Sequence, residues 1–233
     1  MLLLFTSTHP RWTIQALATK SGFSLSTTYR YVSALRETGL VERLEDAQYR
    51  VTDLVFVLAG AAKAAQAPLA DLAQPVLQRL RDDIAESVFV ARRTGTSVIL
   101  VAREESIRPV RLQFEPGRPM LLHTGSLSRI LLAAMPDGER AAYLGTLDPE
   151  VKERPTLSVE ALRLVSETGT TESFEEVDEG IWGVSAAVKS DGLVTAALGC
   201  AAPLFRNDEA KREHISARVS EAAEELTTLL TSR

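Results

Sequence analysis

The feature that most restricts the fold lies within the first 52 residues, where two short helical periods flank a Gly-Phe turn and a strand-turn-strand alternation follows. Thr13 precedes Ile14, Leu17 and Ala18 at helical spacing, and the run stops at Gly22; this predicts a short helix with a threonine N-cap and a glycine stop. Trp12 and Leu17 stand where a hydrophobic staple forms. Ser24 predicts the cap of a second helix that reaches about Thr38 and ends at Gly39. Thr28, Tyr31, Val32 and Leu35 share one stripe of it, which is expected to be buried. The opposite face presents Ser26, Arg30, Ser33 and Glu37, with Thr27, Tyr29 and Ala34 on its flanks. Leu40 to Leu44 and Gln48 to Val51, on either side of Glu45-Asp46-Ala47, read as a β-hairpin around an acidic turn.

Helix, turn, helix and hairpin in that order make a winged helix-turn-helix, in which the second helix enters the major groove of double-stranded DNA and the hairpin lies along the backbone. Short hydroxyl side chains approach phosphates closely, and Arg30 reaches a base edge or a phosphate. The expected DNA-contacting residues are Ser26, Thr27, Tyr29, Arg30 and Ser33 on the helix, with Arg43 and Arg50 on the hairpin. A small α+β module that packs against protein is the alternative. The net charge of −5 taken whole argues against a nucleic-acid partner, but residues 1–50 carry six basic and four acidic side chains and the remainder 20 basic and 27 acidic, which two parts with different partners explain most simply.

The 233-residue chain is 45% hydrophobic and 24% charged, which fits a soluble globular protein of one large domain or two smaller ones. A lone cysteine, Cys200, cannot form an internal bridge, and a cytoplasmic setting is expected. Met1 to Phe5 has no basic flank and is not read as a signal peptide; Leu54 to Ala65 is broken by Lys63 and is too short to cross a membrane. Neither metal-ligand spacing nor a phosphate-cradling glycine loop occurs, so no metal and no cofactor are expected.

Thr52 or Asp53 caps a predicted linker helix through Leu54, Phe56, Val57, Ala61 and Ala64 that stops before Pro68, and an amphipathic helix from Leu69 to about Asp83 follows. Strands are expected at Ser87 to Arg92, Ser97 to Arg103, Pro109 to Phe114, Ile181 to Val188 and Leu193 to Cys200. Helices are expected at 126–135, 137–144 and 157–168, with a final one from Asp208 to Leu230. Strands grouped as hairpins among helices indicate an α+β class, an antiparallel sheet covered by helices.

The run Thr13 to Ala18, Gly22-Phe23-Ser24, Ser26 to Arg30 and Gly39 to Arg43 resembles the DNA-binding domain of IclR-type transcriptional regulators. The likeness continues through Gly117-Arg118-Pro119, Leu122 to Ser126, Leu131 to Ala133, Glu175-Glu176, Gly180, Val184 to Val188, Asp191-Gly192 and Pro203, which resemble the effector domain of that family. Two departures stand out: Leu25 replaces a common lysine and so removes one phosphate contact, and the first helix, Met1 to about Ser7, is short.

The resemblance implies a winged-helix domain at 1–52, a linker helix at 53–68 that takes part in dimerisation, and an effector-binding α+β domain at 69–233 with a GAF- or profilin-like sheet. It also implies a homodimer or homotetramer on a palindromic operator, acting as a repressor under a small organic effector, a carboxylate or an aromatic. His123, Thr124, Gly125 and Ser126 precede a predicted helix, whose free N–H groups and dipole suit a carboxylate; a plain helix cap fits equally. Gly125 and Ser126 match effector-contacting positions, as do Ser173, Gly183, Gly199 and Ala201, whose small side chains imply a roomier, less polar pocket. Trp182 offers an aromatic wall, although a buried or interface ring fits at least as well, and Glu176 offers an acceptor for a ligand hydroxyl, although the run Glu172, Glu175, Glu176, Asp178 and Glu179 reads first as a solvated acidic loop. Gly183-Val184-Ser185-Ala186-Ala187 imitates a nucleophile elbow, but Ser185 sits inside a strand-like run. A hydrolase pairing Ser185 with His123 is the weaker alternative, no catalytic residue is assigned, and Ser185 is retained as an effector-site candidate.

Overall fold

The threonine and serine caps anticipated near the front of the chain organise the first of two compact units, Met1–Ala67 and Pro68–Arg233, in a computed structural model that describes residues 1–6, 8–112 and 119–232, the side chains of 62–68 excepted. In the first unit a two-residue strand β1 (Trp12–Thr13) leads into α1 (Ile14–Ser21). Thr13 Oγ1 accepts from Ala16 N at 3.2 Å, and Gly22 closes the helix with φ 71°, a left-handed conformation that costs glycine no steric penalty. Ser24 caps α2 (Leu25–Glu37), whose buried residues are Thr28 and Val32, the latter in one core with Ile14 and Leu17. Thr28 satisfies its buried hydroxyl by donating to Ser24 O at 3.0 Å. β2 (Val41–Arg43) and β3 (Gln48–Val51) form the hairpin, and β1 pairs antiparallel on the far side of β3, giving the order β1-β3-β2.

Two expectations change in this unit. Tyr31 is 45% exposed, its ring against Phe23 at 5.4 Å, because it sits at the edge of the stripe that Thr28, Val32 and Leu35 centre. In place of a first helix from Met1 to Ser7 there is a 3₁₀ turn at Leu2–Leu4, followed by a bend in which Trp12 Nε1 donates to Leu4 O at 2.9 Å; Ser7 lies outside the described residues.

The helix α3 (Leu54–Ile84) does not stop before Pro68 as expected but continues for 31 residues. Pro68 and Pro75 both lie inside it, and an internal proline costs a helix about 3 kcal/mol. Burial of Leu69, Ala73, Val76, Leu77 and Leu80 on the sheet offsets that cost at ~1.5–3 kcal/mol per large apolar side chain.

The second unit carries β4 (Ser87–Thr94), β5 (Ser97–Glu104), β6 (Met120–Leu121), α4 (Ser126–Ala133), α5 (Asp137–Gly145), α6 (Pro149–Lys152), α7 (Val159–Thr168), β7 (Thr170–Phe174), β8 (Ile181–Ser190), β9 (Leu193–Pro203) and α8 (Glu209–Thr231). Its six strands run β6-β5-β4-β9-β8-β7, every neighbouring pair antiparallel. Of the expected strand Pro109 to Phe114, residues 109–112 are bend and coil; 113 and 114, like Gly117 and Arg118, lie outside the described residues. The polar edge strand β7 was not anticipated.

Strand alternation sorts the sheet's residues between two cores. Val88, Val90, Trp182, Val184, Ala186, Leu198 and Cys200 join the core beneath α8 and the C-terminal half of α3. Ala91, Val98 and Ala197 join the opposite core, with Ile130, Leu131, Leu162 and Val165 of α4 and α7. The candidate pocket belongs to this second face.

Candidate nucleic-acid interface and ligand pocket

On α2 the cap and the candidate contact residues form one hydroxyl cluster. Ser24 Oγ accepts from Thr27 N at 3.2 Å and hydrogen-bonds with Ser26 Oγ at 3.0 Å and Thr27 Oγ1 at 2.9 Å. Ser26, Tyr29, Arg30 and Ser33 are exposed and Thr27 is half-buried, so the face that the periodicity assigned to solvent is open. Arg43 is exposed on the hairpin, while Arg50 Nε pairs with Glu42 Oε1 at 2.5 Å across it. An exposed pair of this kind is worth at most about 1 kcal/mol, so Glu42 restrains the Arg50 side chain only weakly.

The second unit contains a void of about 50 Å³ where the N-terminus of α4 meets β7, β8 and the segment between them. Thr124, Gly125, Ser126, Glu176, Gly183 and Ala201 line it, together with Phe89, Met120, Leu127, Ser173, Val177 and Asp178. Gly125 is the N-cap of α4 at φ 86°, and a Cβ there would meet Val177 Cγ2 at 3.0 Å, so only glycine suits the position. The N–H groups expected to await a carboxylate are engaged: Gly125 N donates to Glu176 Oε2 at 3.0 Å and Ser126 N to Ser173 Oγ at 3.2 Å. Ser126 Oγ also hydrogen-bonds with Ser185 Oγ at 2.8 Å.

A roomy cavity was expected at the glycine positions, and the serine hydroxyls instead take up that space. A Cβ on Gly183 would stand 3.0 Å from both Ser126 Oγ and Ser173 Oγ; one on Gly199 would stand 2.3 Å from Ser185 Oγ and 2.7 Å from Val184 O. Gly199 and Ser185 therefore pack behind the lining rather than form it.

Two candidates lie elsewhere. Trp182 is fully buried in the opposite core, since it alternates with Gly183 along β8, and its Nε1 donates to Glu172 Oε2 at 3.3 Å. His123 Nδ1 lies 2.7 Å from Tyr143 Oη, and burial, then the charge of Arg154, lowers its pKa below the ordinary imidazole value of 6.5. Ser185 and His123 thus have separate partners, and Ser185 is buried within a strand.

Sequence reasoning missed Arg129. It is buried on α4, donates to Thr171 Oγ1 at 3.1 Å and to the Glu172 carbonyl at 2.6 Å, and ion-pairs with Glu176. An arginine inside the run Leu127 to Ala133, where every other residue is apolar or small, was the available signal.

The chain's likeness to known proteins follows the same division. Residues 1–45 match the IclR helix-turn-helix domain, and residues 61–228 match the C-terminal domain of bacterial IclR transcriptional regulators. The transcriptional regulator TtgV of Pseudomonas putida is 31% identical over 179 residues, 76% of this chain and 68% of that protein. KipR of Bacillus subtilis, another transcriptional regulator, is 27% identical over 200 residues, 85% and 75% of the two chains. Among solved structures, an IclR family regulator from Brucella abortus has a TM-score of 0.80 at 24% identity over 97% of this chain and 87% of its own. An IclR homolog from Microbacterium hydrocarbonoxydans, complexed with 4-hydroxybenzoate, has a TM-score of 0.70 at 23% identity over 99% and 97%.

Fold and sequence together define a DNA-binding transcriptional regulator with an effector-type C-terminal domain. The chain belongs to the IclR family.

Proposed function

We propose that this regulator is a cytoplasmic repressor, a homodimer or homotetramer on a palindromic operator, whose grip on DNA is set by a small organic effector in the void at the N-terminus of α4. In this reading residues 1–52 bind DNA, 53–68 link, and 69–233 sense the effector. The observation that carries it is the pairing, in one chain, of an exposed hydroxyl-and-arginine face on α2 with a separate void lined by α4, β7 and β8. The 4-hydroxybenzoate complex of the Microbacterium homolog supports an organic effector. Exposed Phe56, Val57 and Leu58 at the start of α3 support self-association, because contiguous apolar surface marks an interface. A hydrolase is disfavoured by the burial of Ser185 and its bond to Ser126.

The effector acts by preferring one arrangement of the DNA-binding units; a tenfold preference supplies ~1.4 kcal/mol, enough to tip a balanced equilibrium. A gel shift on the DNA flanking the gene, with and without small aromatic and aliphatic compounds, tests the reading. Retarded DNA that a subset of compounds releases is expected. Absence of any retarded species removes DNA from the account.

A further inference from the structure

The void beside α4 has the wrong charge for a carboxylate ligand. Its described lining carries two acids, Glu176 and Asp178, and no lysine, arginine or histidine. A buried cation, Arg129, stands behind Glu176 rather than at the void, and holds Glu176 Oε1 while also donating to Thr171 and to the Glu172 carbonyl. The other oxygen, Glu176 Oε2, accepts from Gly125 N at 3.0 Å, and the next amide, that of Ser126, is closed by Ser173 Oγ at 3.2 Å. Groups of the chain itself have thus taken the donors that an incoming anion needs. To enter, a carboxylate must expel Glu176 from two partners and then lie beside like charges in a partly desolvated space, where repulsion is strong. Phe89, Leu112, Met120, Leu127, Val177 and Ile181 make the remaining wall largely apolar.

We propose that Glu176 is a built-in carboxylate filling the anion cradle formed by Gly125 and Arg129, and that the pocket consequently selects an uncharged, mostly apolar hydroxyl compound over the matching carboxylate. Glu176 has lone pairs left to accept the ligand hydroxyl, and it discriminates by placing a repulsive element against the competitor. The inference rests on the reading of this void as the effector pocket.

The test uses the full chain and two matched pairs of probes, benzyl alcohol with benzoate and butanol with butyrate, followed by calorimetry and by thermal unfolding at fixed ionic strength. Wild-type protein is expected to bind each alcohol at least about tenfold more tightly than its acid. Glu176→Ala frees Arg129 and the Gly125 amide, so the order reverses, and benzoate raises the melting temperature of Glu176→Ala but not of wild type. Glu176→Gln keeps the hydrogen-bonding shape without the charge; it provides a folded comparison and is expected to narrow the preference. Equal or tighter binding of the acids by wild type overturns the inference while leaving the pocket in place, as does a folded Glu176→Ala that gains no benzoate affinity. If none of the four probes binds any of the three proteins, the pocket reading itself fails.

Discussion

Arg30 stands on the exposed face of α2 and, among the described residues, has no ion-pair partner. Arg30→Ala is expected to lose ~1–3 kcal/mol of operator binding, with relaxed discrimination at one base position, if the side chain reads a base. An equal loss on operator and random DNA in a fluorescence titration identifies a phosphate contact instead. Gly199→Ala has a different consequence: its methyl would press on Ser185 Oγ and on the Val184 carbonyl, and overpacking of this kind costs about 1–3 kcal/mol, readable as a lower urea midpoint. His123 titrates below the ordinary 6.5 because burial and the Arg154 charge oppose protonation. The unfolded chain therefore takes up the proton first, so this part of the stability is present above pH 6.5 and is lost as pH falls through the folded value. A melting-temperature series from about pH 7.5 down to about pH 5 should show that decline, and His123→Gln should flatten it. Gly125 and Ser126 are placed at the pocket by the family resemblance, whereas Glu176, within the acidic run 172–179, reads equally as a solvated loop until its bond to Gly125 N is seen. For Arg129 the apolar run Leu127 to Ala133 signals burial but not a partner, because Glu176 and the Glu172 carbonyl come from segments more than 40 residues away in sequence.

At the scale of elements, periodicity found what has strong periodicity. The capped helices α1 and α2, the hairpin β2–β3 and the long strands β8 and β9 all carry their own start, stop and alternation signals. The same alternation separates Trp182 from Gly183, since adjacent strand residues face opposite sides: Gly183 lines the void and Trp182 enters the opposite core. β7 escaped notice because an edge strand of sequence Thr-Thr-Glu-Ser-Phe has no continuous apolar face, and it exists through pairing with β8. Pro68 misled in the other direction, as a local helix breaker outweighed by packing of the residues that follow. The start of α3 leaves Phe56 76% and Val57 66% exposed. Phe56→Glu combined with Val57→Glu should convert the protein to a smaller species in size-exclusion chromatography with light scattering, and an unchanged mass would remove this stretch from the interface.

Across the whole molecule, the net charge of −5 hides a front that is mildly basic and a remainder that is acidic, as suits a chain whose first unit meets DNA and whose second meets a small ligand. The central claim is that the two sites share a coupling free energy, so each ligand must alter the affinity of the other. Ser126 lies at the junction of α4, Ser173 and Ser185, and a leucine there intrudes on the void while every residue of α2 stays unchanged. The most direct measurement is operator affinity of wild type and Ser126→Leu, each with and without a compound that releases wild-type DNA, on protein verified as folded by circular dichroism. Operator affinity within about threefold of wild type, with release by the compound abolished, is the predicted result. Undiminished release from folded Ser126→Leu would contradict the account, because the effector would then act through some place other than this void.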